Sequence, residues 1–364
     1  VADSVTKVIK AYRQEIPVNV LLYGRSATHR GTGPDTYSNL LISALAGRCT
    51  LGEFKSGPQS LQNWDMVHIL DMKQVTLKGF KEIPLPVVLD VHDTYWLEQV
   101  PYSCPDRWGR LWLARRRSRL YPKLMSRASR IVVHSQFVYR TLRSYLPADQ
   151  KGKLAMVPYA VSLSEGTIQT PNPHRPRILY AGRDLFRKGF PTLIEAFNLL
   201  VKRMTSSELI VVGDEYRHSL RWAKKRCRGL PVTFMGGLTP VDLHREISKA
   251  DIVVLPSYTE AFGIILLEAQ ALGIPVIGTR VGGIPETMAE KETGILVPPF
   301  DHGALADAME ELLTDPGRRQ IMGGQGREWV AKKFSSTQMA NALFDVYRSV
   351  ADSKHAGAPA GLPS

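Results

Sequence analysis

Ala250–Gly283 reads ADIVVLPSYTEAFGIILLEAQALGIPVIGTRVGG, and its punctuation decides the fold. Asp251–Leu255 is a short β-branched apolar run, the pattern of a strand buried on both faces of a parallel sheet. Gly273 and Pro275 stop a helix expected over Gly263–Leu272, and Pro275–Gly278 opens the next strand. That helix is apolar nearly all round, and Glu268 is its only charge. A carboxylate is costly to bury without a partner, so Glu268 must be hydrogen-bonded or face a cleft. Glu260 lies just before the helix, at the carboxyl end of the strand, where α/β sheets hold their ligands. Phe262, Gly263 and Ile264 start the helix, and their N–H groups offer an anion site. The plainer alternative is that two acids at this spacing arise by chance and Glu260 only favours the helix dipole.

With 364 residues the chain exceeds what one core usually organises, so two domains are expected. At 44% hydrophobic and 22% charged residues it has the composition of a globular enzyme. No stretch approaches the roughly 18–20 uncharged apolar residues of a membrane span. The opening VADSVTKVIK has neither the apolar core nor the cleavage site of a signal peptide. Cys49, Cys104 and Cys227 are scattered and odd in number, which fits reduced thiols and argues against a disulfide framework or a zinc site. A cytoplasmic protein is expected.

The net charge of +13 is not spread evenly. Asp106–Arg130 holds nine Arg or Lys against one acid, and Arg217–Arg228 holds six against none, so these two segments account for the whole excess. Such clustering implies a local anionic partner: lipid headgroups, substrate phosphates or nucleic acid. Within the first segment Leu111, Trp112, Leu113, Leu120, Tyr121, Leu124 and Met125 interleave with the arginines, and Pro122 is expected to divide it into two helices. One reading is a domain helix with its apolar side inward; the sharper one is a surface, residues 107–130, that docks on an anionic membrane. A non-catalytic nucleic-acid binder would use Trp108, Trp112 and Tyr121 as stacking aromatics, but its basic stripes should lie on an open face.

Along the chain, strands are expected at Val18–Tyr23, Met66–Leu70, Pro86–Val91, Ile131–His134 and Leu154–Val157. The proline-rich TPNPHRPR, Thr170–Arg177, reads as a linker. A second alternation follows, with strands at Ile178–Ala181, Leu209–Val212, Val232–Phe234, Asp251–Leu255 and Pro275–Gly278. Two such series predict two Rossmann-like, doubly wound α/β domains facing a central cleft. The boundaries are 1–172 and 173–335, with a helix at 336–350 packing back on the first domain and a disordered tail over 354–364.

Three further clusters bear on chemistry. Gly31 and Gly33 form a turn between the first strand and its helix, but Thr36 occupies the third glycine of a dinucleotide fingerprint and no acid follows about 20 residues on. Hydride transfer with NAD is therefore disfavoured. Gly182-Arg183 ends a strand and Lys188-Gly189 begins a helix, so two cations meet at one sheet edge, either as a metal-free diphosphate clamp or as solvated loop residues. His92, in LDVHDT, suits a hydrogen bond to a substrate hydroxyl, although a lone histidine is often structural. Asp90 and Asp93 flank it, but strand alternation puts Asp90 with His92 and Asp93 beyond the strand, so no metal site is expected.

In this order the clusters resemble the retaining GT-B glycosyltransferases with a Glu-x7-Glu signature, the group that includes bacterial mannosyl-, glucosyl- and N-acetylglucosaminyltransferases. The matching strings are the Gly31–Gly33 turn, VHD around His92, ASRIVVHS ending at Ser135, YAGRDLFRKG at Tyr180–Gly189, VVGDE at Val211–Glu215, FMGGL from Phe234, and Ser257–Glu286. The resemblance implies catalytic roles for Arg183, Lys188, Glu260 and His92: the first two clamp the diphosphate, while Glu260 and His92 meet the donor sugar. It implies that Gly31, Gly33, Gly182, Gly213, Phe262, Gly263 and Ile264 surround the donor and that Glu268 accepts the ribose hydroxyls. It further implies a UDP- or GDP-sugar donor, no cofactor and no metal. The acceptor would be a glycan, a lipid-linked sugar or a small molecule, as in polysaccharide or glycolipid synthesis, with the protein in the cytoplasm or peripheral on the membrane's inner face. The chain departs from the family at Tyr159-Ala160, where Asn-Gly is frequent, and at Ser162 in place of Asp. A GT-B phosphorylase or epimerase would share the architecture, but no pyridoxal-phosphate lysine or separate phosphate site is evident.

Overall fold

A computed structural model describes residues 18–23, 33–54, 61–97, 107–162, 175–213 and 217–356. The first sheet contains β1 (Val18–Tyr23), β2 (Cys49–Glu53), β3 (Met66–Ile69), β4 (Val87–Val91), β5 (Arg130–Val133) and β6 (Leu154–Met156), ordered β2-β1-β3-β4-β5-β6. Its connecting helices are α1 (Gly33–Leu45), α2 (Leu77–Lys81), α3 (Arg107–Arg127) and α4 (Gln136–Tyr145). The second sheet contains β7 (Arg177–Ala181), β8 (Glu208–Val212), β9 (Val232–Gly236), β10 (Ile252–Leu255), β11 (Val276–Thr279) and β12 (Gly294–Val297), ordered β12-β11-β10-β7-β8-β9. Around it run α5 (Phe190–Arg203), α6 (Arg217–Arg226), α7 (Pro240–Ile247), α8 (Ile264–Ala271), α9 (His302–Thr314) and α10 (Pro316–Lys333), followed by α11 (Ser336–Ala356).

All pairings are parallel, so helices must cover both faces and the central strands cannot alternate. Every residue of β3, β4, β10 and β11 is buried, which explains why they are apolar apart from His68, Asp90 and Thr279. In each sheet the strand order reverses beside the first strand, between β1 and β3 and between β7 and β10. Ligand crevices open at such points, outside the carboxyl ends of the strands.

Several elements differ from the sequence expectations. β2 was not expected; it is an edge strand of mixed exposure containing Gly52, whose bare Cα lies against the Trp64 ring. β12, α2 and α10 were not expected either. Four glycines mask α10, and one of them serves packing: a methyl group on Gly323 would strike the Gly273 carbonyl just after α8. α3 runs unbroken through Pro122 instead of dividing there. The ring removes one helical N–H, while buried Tyr121, Leu124 and Met125 fasten that half to the sheet. Residues 163–174, which hold most of the expected linker, lie outside the described residues. Of the expected tail, Lys354–Ala356 are helical and residues 357–364 lie outside the described ones. Among the described residues no helix is long and apolar enough to cross a membrane.

α11 belongs in packing to the first sheet. Its Met339, Leu343, Phe344, Tyr347 and Val350 share a buried core with Leu41 and Leu45 of α1 and Val20 of β1. A buried polar contact fixes its rotation: Tyr347 Oη lies 2.6 Å from His68 Nδ1 on β3. Replacing Tyr347 with Phe strips a buried ring nitrogen of its partner and should lower stability by about 1–3 kcal/mol, measured by denaturant unfolding. An unchanged midpoint would show that this contact does not hold the helix.

Candidate functional site

The carboxyl ends of the two sheets enclose a cleft of about 350 Å³, a volume in the range of small-ligand sites. Lys73, His92, Asp93, Tyr95 and Tyr159 line it from the first sheet's side. From the second come Gly182, Arg183, Arg187, Lys188, Gly213, Glu268 and the segment Glu260–Ile265. Arg183, Lys188, Glu260, His92, Gly182, Gly213, Phe262, Gly263, Ile264 and Glu268 thus all line the same cleft. Gly31 lies outside the described residues, and Gly33 is the first residue of α1.

Backbone conformation requires glycine at two positions here. Gly213 has φ +137, and a Cβ there would collide with the Gly182 carbonyl. Gly263 caps α8 at φ +99, a left-handed turn that aims the helix start at the cleft. Arg183 is exposed at the rim, and the Lys188 stem lies across the bare Cα of Gly182.

Glu260 is 6% exposed and held from both sides of the cleft. Tyr95 Oη donates to its Oε1 at 2.7 Å, while Lys188 Nζ lies 3.0 Å and Arg187 Nη1 3.4 Å from Oε2. Burial alone would raise this carboxyl's pKa, but Lys188, Arg187 and the Tyr95 hydroxyl outweigh it and hold it down at about 2. Glu268 points into the same space from α8. Its nearest cationic partner is His244, whose Nε2 is 3.9 Å from Oε1, beyond hydrogen-bond length; the carboxylate raises the imidazole's pKa.

His92 is already engaged. Its Nε2 lies 2.7 Å from the Leu70 carbonyl and its Nδ1 2.7 Å from Tyr159 Oη. The carbonyl can only accept, so Nε2 carries the proton and Nδ1 accepts from Tyr159. Behind it, Asp90 and His134 bring ligand-type atoms to within 4.8 Å of one another and of His92. The two imidazoles are stacked, however, with centroids 4.9 Å apart and planes 17° apart. Lone pairs in near-parallel planes do not converge on one ion, so the geometry suits packing better than coordination. Asp90 instead pairs with His68 Nε2 at 3.0 Å. Burial pushes the His134 pKa down to about 3, which keeps that ring neutral.

Sequence reasoning did not identify Arg187, Tyr95, Lys73 or Asp93 as cleft residues. Arg187 directly precedes Lys188 in FRKG, and nothing in the local pattern separates it from a solvated loop cation. Asp93 pairs with Lys73 at 3.0 Å, a contact between the loop after β4 and a short 3-10 turn at Met72–Gln74 that no local spacing encodes.

Residues 167–329 match the family model described as Glycosyl transferases group 1. Over 183 residues the chain is 36% identical to the GDP-mannose-dependent alpha-(1-6)-phosphatidylinositol monomannoside mannosyltransferase of Mycobacterium tuberculosis, covering 48% of each. It is 27% identical over 286 residues to the alpha-D-kanosaminyltransferase of Streptomyces kanamyceticus, covering 73% of this chain and 71% of that one. The first of these alignments spans about half the relative's length. Among solved structures, a sucrose-phosphate synthase from Thermosynechococcus elongatus superposes with a TM-score of 0.71 at 21% identity, over 92% of this chain and 100% of that one. The match to the glycosyl transferases group 1 model thus falls on the second sheet and its helices, and the two-sheet architecture has the GT-B fold.

Proposed function

We propose that the protein transfers a sugar from a nucleotide-diphosphate donor to an acceptor hydroxyl, with retention of anomeric configuration and without a metal ion. The observation that carries this reading is the meeting of Arg183, Lys188, the α8 N-terminus, Glu260 and Glu268 in one cleft. Two cations and a helix start provide for the charge that builds on a departing diphosphate. Glu268, at the nucleotide end, suits the paired hydroxyls of a ribose. Glu260 suits hydroxyls of the transferred sugar, with His92 facing it across the cleft. Both Glu260 and Asp93 sit in ion pairs, so neither is presented as a free nucleophile. That favours attack by the acceptor on the leaving-group side, with the departing phosphate as its base.

The acceptor is proposed to be lipid-linked, which would make this a peripheral enzyme of the cytoplasmic membrane face. On α3, Trp112, Arg116, Arg119 and Lys123 are exposed and recur at helical spacing along one stripe, while Tyr121, Leu124 and Met125 are buried on the other. The Arg116 guanidinium lies over the Trp112 ring at 5.8 Å, an aromatic and a cation side by side as an interfacial surface uses them. The mycobacterial relative is named for a phosphatidylinositol mannoside acceptor, which fits the same idea.

A thermal-shift panel of UDP, GDP and their sugar conjugates tests the donor: a ligand at 100 times its dissociation constant should stabilise by about 2.7 kcal/mol. A flat panel would refute the reading. Arg183→Ala and Lys188→Ala should each cut turnover by roughly two orders of magnitude or more while the fold survives. Glu268→Gln should mainly weaken nucleoside diphosphate binding, whereas Glu260→Gln should mainly lower turnover. Activity should persist in EDTA; its loss, with recovery on adding magnesium or manganese, would contradict a metal-free mechanism. For the membrane surface, the protein should co-sediment with anionic vesicles, less so as salt rises, each basic residue contributing roughly 1 kcal/mol. Replacing Arg116, Arg119 and Lys123 with Ser should release it, and no binding to such vesicles at low salt would leave a soluble acceptor.

A further inference from the structure

Arg187 and Lys188 share the Glu260 carboxylate but are held in different ways. Among the described residues Lys188 pairs with one acid, Glu260, and its stem crosses the bare Cα of Gly182. Arg187 is anchored independently of Glu260. Its Nε lies 3.3 Å from Asp184 Oδ2, its Nη1 donates to the Thr259 carbonyl at 3.0 Å, and its guanidinium lies 4.2 Å from the Tyr95 ring centroid. One cation is therefore free to leave Glu260, and the other is fixed in place.

This difference matters as soon as an anion enters. Resting on the donor reading above, a diphosphate at the α8 N-terminus would draw the Lys188 ammonium away from Glu260. The carboxylate is 6% exposed and would then lack its nearest cation. We propose that Arg187 is a positioning residue of the donor site, which keeps Glu260 charged and aimed while a diphosphate occupies Lys188. Tyr95 completes the arrangement from the opposite side of the cleft: its hydroxyl holds Oε1 and also accepts the Ala261 N–H at 3.0 Å. The titratable and charged groups around Glu260 are Lys188, Arg187 and Asp184 from the loop after β7, Asp93 and Tyr95 after β4, and Tyr159 after β6.

Calorimetric titration of the full chain with UDP and with GDP, in buffers of different ionisation enthalpy, tests this. In the wild type Glu260 stays ionised throughout. In Arg187→Gln, departure of Lys188 leaves a buried carboxylate without a cation, which burial drives to take up a proton. Diphosphate affinity should fall about tenfold or more, and it should fall further as pH rises, because the bound state needs that proton. In the Glu260→Gln background no charge needs holding, so Arg187→Gln should change affinity and proton uptake little. Arg187→Lys keeps the charge and should bind without extra proton uptake; it carries the test if the Gln variant does not fold. Unchanged affinity in Arg187→Gln, extra proton uptake in Arg187→Lys, or an equal loss in the Glu260→Gln background would overturn the proposal, the last by making Arg187 a direct phosphate ligand. A wild type that binds neither UDP nor GDP would overturn the donor reading itself; normal wild-type binding with an unaffected Arg187→Gln overturns only the role of Arg187.

Discussion

A buried carboxylate dictates the chemistry of the cleft. Glu260 lies where two sheets meet, and an ion in that position is tolerated only with opposite charge and hydrogen bonds around it. Lys188 and Arg187 supply the charge from one side and Tyr95 a hydroxyl from the other. The carboxylate therefore also ties the two halves of the molecule together. Ser135 adds a second tie, donating from the start of α4 to the Ala261 carbonyl at 2.9 Å. Glu286 adds a third, accepting the N–H groups of Gln136 and Phe137 at 2.7 Å each. These polar contacts lie beside a packed apolar seam, in which Phe262, Leu267 and Ala271 of the second half share a buried core with Tyr159, Ala160 and Val161 of the first.

The opposite strategy holds α11. That helix leaves the second half and buries its apolar side on α1 and β1, with one polar pair, Tyr347 and His68, deep in the core. His68 in turn meets Asp90, which stands behind His92 on the same strand edge. A chain of buried polar groups therefore runs from α11 to the wall of the cleft. His92 itself is oriented by two other contacts, the Leu70 carbonyl and the Tyr159 hydroxyl, and such directional bonds fix it more narrowly than apolar packing would. Tyr159 finishes this set from the loop after β6, at the position where the chain departs from the family's usual Asn-Gly.

The second half of the molecule was legible because its signals are local. A buried parallel strand is a run of β-branched residues, a glycine must stand where a backbone crosses another, and the lone charge of an apolar helix must face a ligand or a partner. Glu268 followed from the last of these rules and Gly263 from its place at the helix start, whereas Gly213 was given only by the family resemblance. What was missed is relational. Tyr95 and Asp93 reach the cleft because loops from distant strands converge, and neither sits in a periodic pattern. β2 was hidden by its place at a half-exposed edge, and α10 by glycines used for close approach. The break expected at Pro122 did not occur because tertiary burial of Tyr121, Leu124 and Met125 outweighed the loss of one hydrogen bond.

Charge is divided between these regions in a way that assigns each a different task. In the cleft nearly every cation has an acid beside it, Lys73 with Asp93 and Lys188 and Arg187 with Glu260, so the site is close to neutral when empty. Arg183, at the exposed rim, is the exception and the first cation an incoming diphosphate would meet. On α3 the arrangement is reversed: the exposed stripe of Arg116, Arg119 and Lys123 shows no acid partner among the described residues. Paired charges exchange partners over a few ångströms and give specificity, whereas an unpaired stripe acts over a Debye length of about 8–10 Å and gives attraction without choice. The excess positive charge of the chain thus lies largely outside the cleft, part of it on the exposed face of α3, while the cations within the cleft are mostly paired.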